Sequence, residues 1–481
     1  MIVPPGAALV AAGVAFAAAE LLFVSPRMGL SWDETVYVSQ VSGHAPAAWF
    51  DPARARGVPL IVAPVAALTS SVVMLRVYLS LACGAALTLA LWAWRGLRPD
   101  WVLALAGVLF GGLWVAQYYG PQAMPDMWSA LGSLAAVGCF LRRVYGRGGN
   151  WALAGLAACV AFVTLVRPGD AVYLTVPLLA AAVIRRRWEP AAAVACGLVA
   201  GSAEWVAEAY ARFGGVPERL RAAGAEQGGF GLHFALPAEL RALNGPTLCR
   251  PCTIGVRYPE LDLWWFLLPV LVVLAVLAAY GIWGDKSSPR GVRGDGSPRA
   301  GGVWGGRPPG ASTALPAVCG LFLAAQYVFM IDYAAPRFLL PAYALFAIPA
   351  ADALAFVITR AGADLRPAMI AVVTCFLAVQ LVAQHVVLDH EAGGTVVFHD
   401  DYTRIAAALA AHGVRPPCLV QGVQYIPIGY LAGCASAGTP APGEAVAVLV
   451  QSRRRPPGYA RHWHSFRITG TTVLQVNAYI P

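Results

Sequence analysis

Long apolar stretches alternate with short polar ones along most of the chain. A bilayer core of about 30 Å asks for roughly 20 apolar helical residues. On that measure the pattern predicts eleven membrane spans, near 6–24, 72–94, 101–118, 127–141, 151–166, 171–184, 190–210, 262–282, 312–331, 338–357 and 368–388. Several are short for a full crossing, so one of them is a candidate re-entrant segment. The first lacks a basic leader and is followed by many more apolar runs, so it reads as a retained span and not as a signal peptide. Tryptophans at the ends of apolar runs, such as Trp92, Trp151, Trp188 and Trp264, mark where amphipathic rings meet the headgroups.

The pattern divides the chain into a membrane module, 1–388, and a tail, 389–481. Within the module, 25–71 is a first loop and 211–261 a second long one. The stretch 283–311 is Gly, Pro, Ser and Arg with few apolar residues, and is expected to be a disordered linker. In the tail, "YTRIAAALAAHG" has helical spacing, while "CLVQG", "AVAVLVQ" and "VLQVNAYI" read as strands separated by Pro and Gly. The expected fold is therefore an all-α polytopic membrane bundle of about eleven helices carrying a small α/β C-terminal domain.

Composition agrees: 58% of the 481 residues are hydrophobic and 12% charged, against roughly 25% charged in an ordinary soluble domain. Charge also assigns sides, because Lys and Arg collect in cytoplasmic loops. Arg95 and Arg98, Arg142, Arg143 and Arg147, Arg185 to Arg187, and Arg360 and Arg366 fall on one side, and the linker on the same side adds Lys286 and several Arg. Short loops on the other side hold almost none. The N-terminus and linker are thus expected in the cytoplasm of a plasma-membrane protein. The first loop, 211–261 and the tail domain are expected outside.

Six of the ten cysteines fall within spans, and four fall in the outer segments. An even number in a compartment where disulfides persist points to two local bridges, one using Cys249 and Cys252 and the other Cys418 and Cys434. A four-thiolate zinc site from the same residues is the less favoured alternative.

Charged side chains near membrane depth are costly and usually functional. The outer span ends collect Asp33 and Glu34 in "GLSWDETVYV", Arg76, Asp126 in "YYGPQAMPDMWS", Arg167 and Asp170 in "LVRPGD", Glu204 and Glu208, and Asp332 and Arg337 in "IDYAAPRFLLPAY". Any one of them suits a solvated helix end or a pair such as Asp332 with Arg337. Acidic and basic groups alternating around one rim suit catalysis on an anionic substrate.

The N-terminal span, the "WDE" loop, the Pro-containing "GVPLIVAPVAAL", the span "MLRVYLSLACGAALTLALWAWR", the acidic loop before the fourth span and the late "PRFLLPAYALFAIPA" together resemble the GT-C superfamily. Its members are membrane glycosyltransferases that use polyprenyl-phosphate sugars, among them protein O-mannosyltransferases, aminoarabinose transferases and actinobacterial arabinofuranosyl and mannosyl transferases. The Ala-, Arg- and Gly-rich composition also suits a high-GC actinobacterial source. The resemblance implies a GT-C bundle and inverting transfer of a mannose- or arabinofuranose-like sugar to a hydroxyl of an envelope glycan, lipid or protein. No nucleic-acid partner is expected.

Such chemistry needs a surface carboxylate to take the acceptor proton and cations to stabilise the departing phosphate. Asp33 fits the base, with Glu34 as a catalytic or supporting partner, since adjacent side chains diverge. Arg337 and Arg167 fit the phosphate clamp, and Arg54 and Arg56 in "DPARARG" are placed to close over it. Asp126, Tyr119, Glu208 and Asp332 are acceptor-binding or supporting candidates. No cofactor is required, although a divalent cation would serve for part of the arginine role. Two other classes share some of these features. A ligase or acyltransferase on lipid-linked substrates usually needs a histidine, and His44 is the one in the first loop. A transporter would show inverted repeats and interrupted helices, and neither is visible.

Overall fold

The computed structural model describes residues 4–229, 231–281, 310–438 and 447–481. The membrane module contains α1 (Ala7–Phe23), α2 (Trp32–Ser39), α3 (Gly57–Ala66), α4 (Val72–Trp92), α5 (Asp100–Gly111), α6 (Trp114–Tyr119), α7 (Pro125–Val144), α8 (Gly149–Val166), α9 (Pro168–Ile184), α10 (Trp188–Arg212), α11 (Val216–Glu226), α12 (Leu236–Ala242), α13 (Leu263–Ala279), α14 (Gly310–Met330), α15 (Leu340–Arg360) and α16 (Arg366–Ala411). The tail adds β1 (Leu419–Gly422), α17 (Tyr425–Leu431), β2 (Ala435–Ser436), β3 (Ala447–Gln451), β4 (His464–Arg467) and β5 (Val476–Ile480).

The protein is a multi-pass membrane protein. Among the described residues seven helices are long and apolar enough to cross a bilayer, and four shorter apolar helices, α1, α3, α5 and α9, accompany them. Every stretch predicted as a span is helical over most of its described residues, with two departures. The segment expected at 101–118 is two helices, because the chain leaves helical geometry at Leu113. The final span does not stop at 388, since α16 continues without a break to Ala411 and includes the helix foreseen in the tail. The linker expected at 283–311 falls mostly outside the described residues; Gly310 and Ala311 begin α14.

Close helix contacts follow from small residues. The "GLVAG" run of α10 puts Gly197 and Gly201 against α8, where an added Cβ would meet the Ala157 and Ala161 carbonyls at 2.6 and 2.3 Å. This is the small-xxx-small spacing by which membrane helices approach. Between α4 and α5, the Arg98 guanidinium forks onto Asp352 at 2.7 and 2.8 Å and also reaches Ser312 and Thr313, tying α14 and α15 to that turn.

The tail sheet has the order β2-β1-β3-β5-β4, with β1 parallel to β2 and β3 and the remaining pairs antiparallel. The three strands foreseen from sequence are β1, β3 and β5. A second apolar core under the sheet joins Tyr402, Ile405 and Leu409 of α16 to Val420, Leu449 and Ala478. The tail then seats on the first loop: Tyr425 meets Trp32 edge-on at 4.9 Å, and the Tyr430 hydroxyl bonds Ser42 at 2.9 Å.

Cys249 is bonded to Cys252 and Cys418 to Cys434. The second bridge spans 16 residues and ties the start of β1 to the start of β2. Closing a loop of that size is worth about 3 kcal/mol in the chain-entropy model. Cys418→Ser/Cys434→Ser is expected to lower the tail's stability by that amount, read as earlier proteolytic nicking of the tail on heating with the membrane module intact.

Candidate active site

Local sequence aims the first loop's two carboxylates in different directions. "SWDE" is a capping box: the Ser31 side chain accepts from the Glu34 amide, and the Glu34 carboxylate accepts from the Ser31 amide at 3.0 Å. Glu34 is thereby turned inward, where Arg76 donates to both of its oxygens and Ala123 N–H to one. Arg76 also bonds the carbonyls of Met28, Gly29 and Pro121. The pair is closed from solvent, with side-chain exposures of 0% for Glu34 and 1% for Arg76. Burial would raise the Glu34 carboxyl, but Arg76 and the two amides outweigh it and hold it below the usual range.

Asp33, one residue earlier, is 30% exposed. Its Oδ1 accepts from Arg54 at 2.7 Å and its Oδ2 from Arg337 at 3.1 Å. Burial pushes this carboxyl upward as well, yet Arg54, Arg337 and Arg167 together hold it below the ordinary carboxylate value.

Prolines place the other charged groups. Pro125 begins α7 and puts Asp126 in its first turn. Arg167 is the extended residue before Pro168, and Pro336 precedes Arg337 ahead of α15. A residue before proline is driven out of helical geometry, and proline itself suits a helix start. The three breaks thus present Asp126, Arg167 and Arg337 at the end of the bundle that carries the α/β unit. Arg167 pairs with Asp126 and lies 3.6 Å from Asp170, while Arg337 comes within 3.6 Å of the second Asp126 oxygen. Asp170 is itself held by Ser129 at 2.5 Å and by Tyr327. Tyr119 lies under Arg337, ring to guanidinium 5.7 Å. The result is a chain of alternating charge: Asp51, Arg54, Asp33, Arg337, Asp126, Arg167, Asp170.

Three expected members stand apart. Arg56 turns to Glu208 at 2.5 Å and to Gln40, over the Phe50 ring. Glu208 serves that network and not the Asp33 cluster. Asp332 is exposed and packs on Gly228; the partners of Arg337 are Asp33 and Asp126. His44 is also exposed, edge-on to Tyr430 in the seat of the tail. Sequence reading missed Asp51, although it opens "DPARARG", and Tyr327, which carries no motif. It also missed the capping box, which was there to be read in Ser31 and Glu34.

This architecture has solved counterparts. ArnT from Cupriavidus metallidurans, solved bound to undecaprenyl phosphate, matches with a TM-score of 0.62 at 12% identity, over 98% of this chain and 97% of that one. The fold is ArnT-like. The same protein in its apo state matches at 0.60 and 12% identity, over 98% and 96%. An oligosaccharyltransferase from Archaeoglobus fulgidus, in its apo form, matches at 0.50 and 11% identity, over 92% of this chain and 69% of that one. No protein-family profile and no curated protein sequence matches the chain. The fold that the "WDE" loop and "PRFLLPAY" implied is therefore the one observed.

Among the described residues no group of three or more His, Cys, Asp or Glu is arranged to hold a metal ion. Asp33 and Asp126, the carboxylates nearest the centre, both face guanidiniums, so the donor set as it stands does not fit a divalent cation.

Proposed function

We propose that the protein is an inverting glycosyltransferase that moves a sugar from a polyprenyl-phosphate donor to an acceptor hydroxyl on the outer face of the membrane. The observation that carries this reading is the sharing of one half-open carboxylate, Asp33, between two arginines, Arg54 and Arg337. Each guanidinium has five donors in a fixed fork, so a phosphate oxygen can take over part of each fork. Asp33 is then released to act as a base.

The step needs no covalent intermediate. As the acceptor oxygen bonds the anomeric carbon, the carbon–oxygen bond to phosphate breaks, with its electron pair going to the phosphate. The acceptor proton passes to Asp33. The products are the glycosylated acceptor, inverted at that carbon, and polyprenyl phosphate, whose added charge Arg54, Arg337 and the neighbouring Arg167 stabilise. An apolar groove between α5, α13, α15 and α16, lined by Leu113, Trp264, Leu268, Tyr343 and Leu377, suits the isoprenoid tail. Tyr343 lies less than two helical turns beyond Arg337. The undecaprenyl phosphate seen in ArnT supports the donor class, and short-loop arginines support the outer-face orientation.

The test is transfer from polyprenyl-phosphate mannose or arabinofuranose in reconstituted membranes. No transfer from any polyprenyl-phosphate sugar by protein that is folded would end the reading. Within that assay Arg337→Lys keeps the charge but loses the two-pronged geometry. It is expected to raise the donor KM about tenfold or more, a cost of the size of one charge-assisted hydrogen bond. An unchanged KM would remove Arg337 from the donor site.

A further inference from the structure

The short segment that carries Arg54 has no regular secondary structure, yet one fully enclosed side chain from the second long loop grips it. Arg219 of α11 donates from Nε to the Pro52 carbonyl at 3.1 Å and from Nη2 to the Arg54 carbonyl at 2.9 Å. Its remaining donors reach back to α10, to the Trp205 carbonyl at 2.7 Å and to Glu208 at 2.9 Å. The guanidinium lies between the Trp205 and Phe213 rings, 4.3 and 4.8 Å from their centroids, and is 0% exposed. The side chain of Arg54 itself leaves this clamp and extends to Asp33.

From this placement we propose that Arg219 is a positioning residue: it holds the Pro52–Arg54 main chain so that the Arg54 guanidinium stands on Asp33, ready for the donor phosphate. The proposal rests on the phosphate-binding role of Arg54 given above. It adds a function to the loop 211–261. The chemistry explains the residue type. Only a planar fork reaches the carbonyls of two residues flanking Ala53 on one side and a carboxylate on the other. A burial site walled by two aromatic rings favours a weakly hydrated guanidinium over an ammonium.

The experiment uses the full chain in lipid nanodiscs, with undecaprenyl phosphate as the probe, and compares the wild type, Arg219→Lys, Arg54→Ala and the double variant. Lysine keeps the charge beside Glu208 but cannot span both carbonyls. Arg219→Lys is expected to bind the probe about tenfold more weakly. Residues acting through one another are non-additive, so the double variant is expected to bind no more weakly than Arg54→Ala alone. A role confined to stability would instead weaken binding by the same factor in both backgrounds, and that outcome overturns the proposal. So does wild-type affinity in Arg219→Lys. If the wild type itself fails to bind undecaprenyl phosphate, the donor reading falls first and takes this inference with it. Should Arg219→Lys not fold, Phe213→Leu keeps the arginine and removes one ring. It is expected to weaken binding in the same direction by a smaller factor, again only while Arg54 is present; unchanged binding in that variant overturns the proposal.

Discussion

Asp33→Asn is expected to stop transfer while leaving the protein folded and able to hold its donor. Asparagine keeps the shape and some of the hydrogen bonding but cannot take a proton, and a general base contributes about 10²–10⁴-fold. Arg54 and Arg337 also lose a competitor for their forks, so binding of undecaprenyl phosphate should hold or tighten. Loss of turnover with retained or tighter binding is the pattern to look for in reconstituted membranes. Normal turnover would place the base elsewhere. The pH dependence follows the same logic. Three arginines keep the Asp33 carboxyl below its ordinary value despite burial, so the base stays ionised at mildly acidic pH, and the rate falls only as pH drops through that lowered value. Arg54→Ala removes one of the three, raises the carboxyl and is expected to move the acid limb of the rate profile to higher pH.

Glu34→Ala is expected to act on stability instead. It strands the Arg76 guanidinium, 1% exposed, and breaking a buried pair by removing one partner costs about 3–5 kcal/mol. The fall should be visible as a lower melting temperature in detergent, with transfer lost in proportion to the folded fraction. A Glu34→Met/Arg76→Met double variant, which leaves no buried charge, should recover much of the loss. If Glu34→Ala melts like the wild type but does not turn over, Glu34 belongs to the chemistry after all. The two adjacent carboxylates differ in setting: Asp33 is half open between Arg54 and Arg337, while Glu34 is locked into the helix start and a buried arginine.

The apolar pattern was enough to read the membrane class, the helical stretches and three of the tail strands, because a bilayer imposes its thickness on any chain that crosses it. It was enough, too, to read the candidate residues at the domain-bearing end, since charge at span ends is conspicuous against an apolar background. The local devices were also written in the chain, in the prolines beside Asp126, Arg167 and Arg337 and in the Ser31–Glu34 capping box that the sequence reading passed over. Partner choice was not legible. Arg54 and Arg56 are two residues apart in "DPARARG", yet one meets Asp33 and the other Glu208, because the segment between α2 and α3 sends the two side chains to different elements. Arg337 follows Asp332 closely in sequence but pairs with Asp33, 304 residues away. Local spacing settles which groups stand at helix ends, since capping and proline geometry act over three or four residues. Which carboxylate each arginine meets depends on how α7, α8, α10 and α15 converge around the first loop, and only tertiary packing decides that.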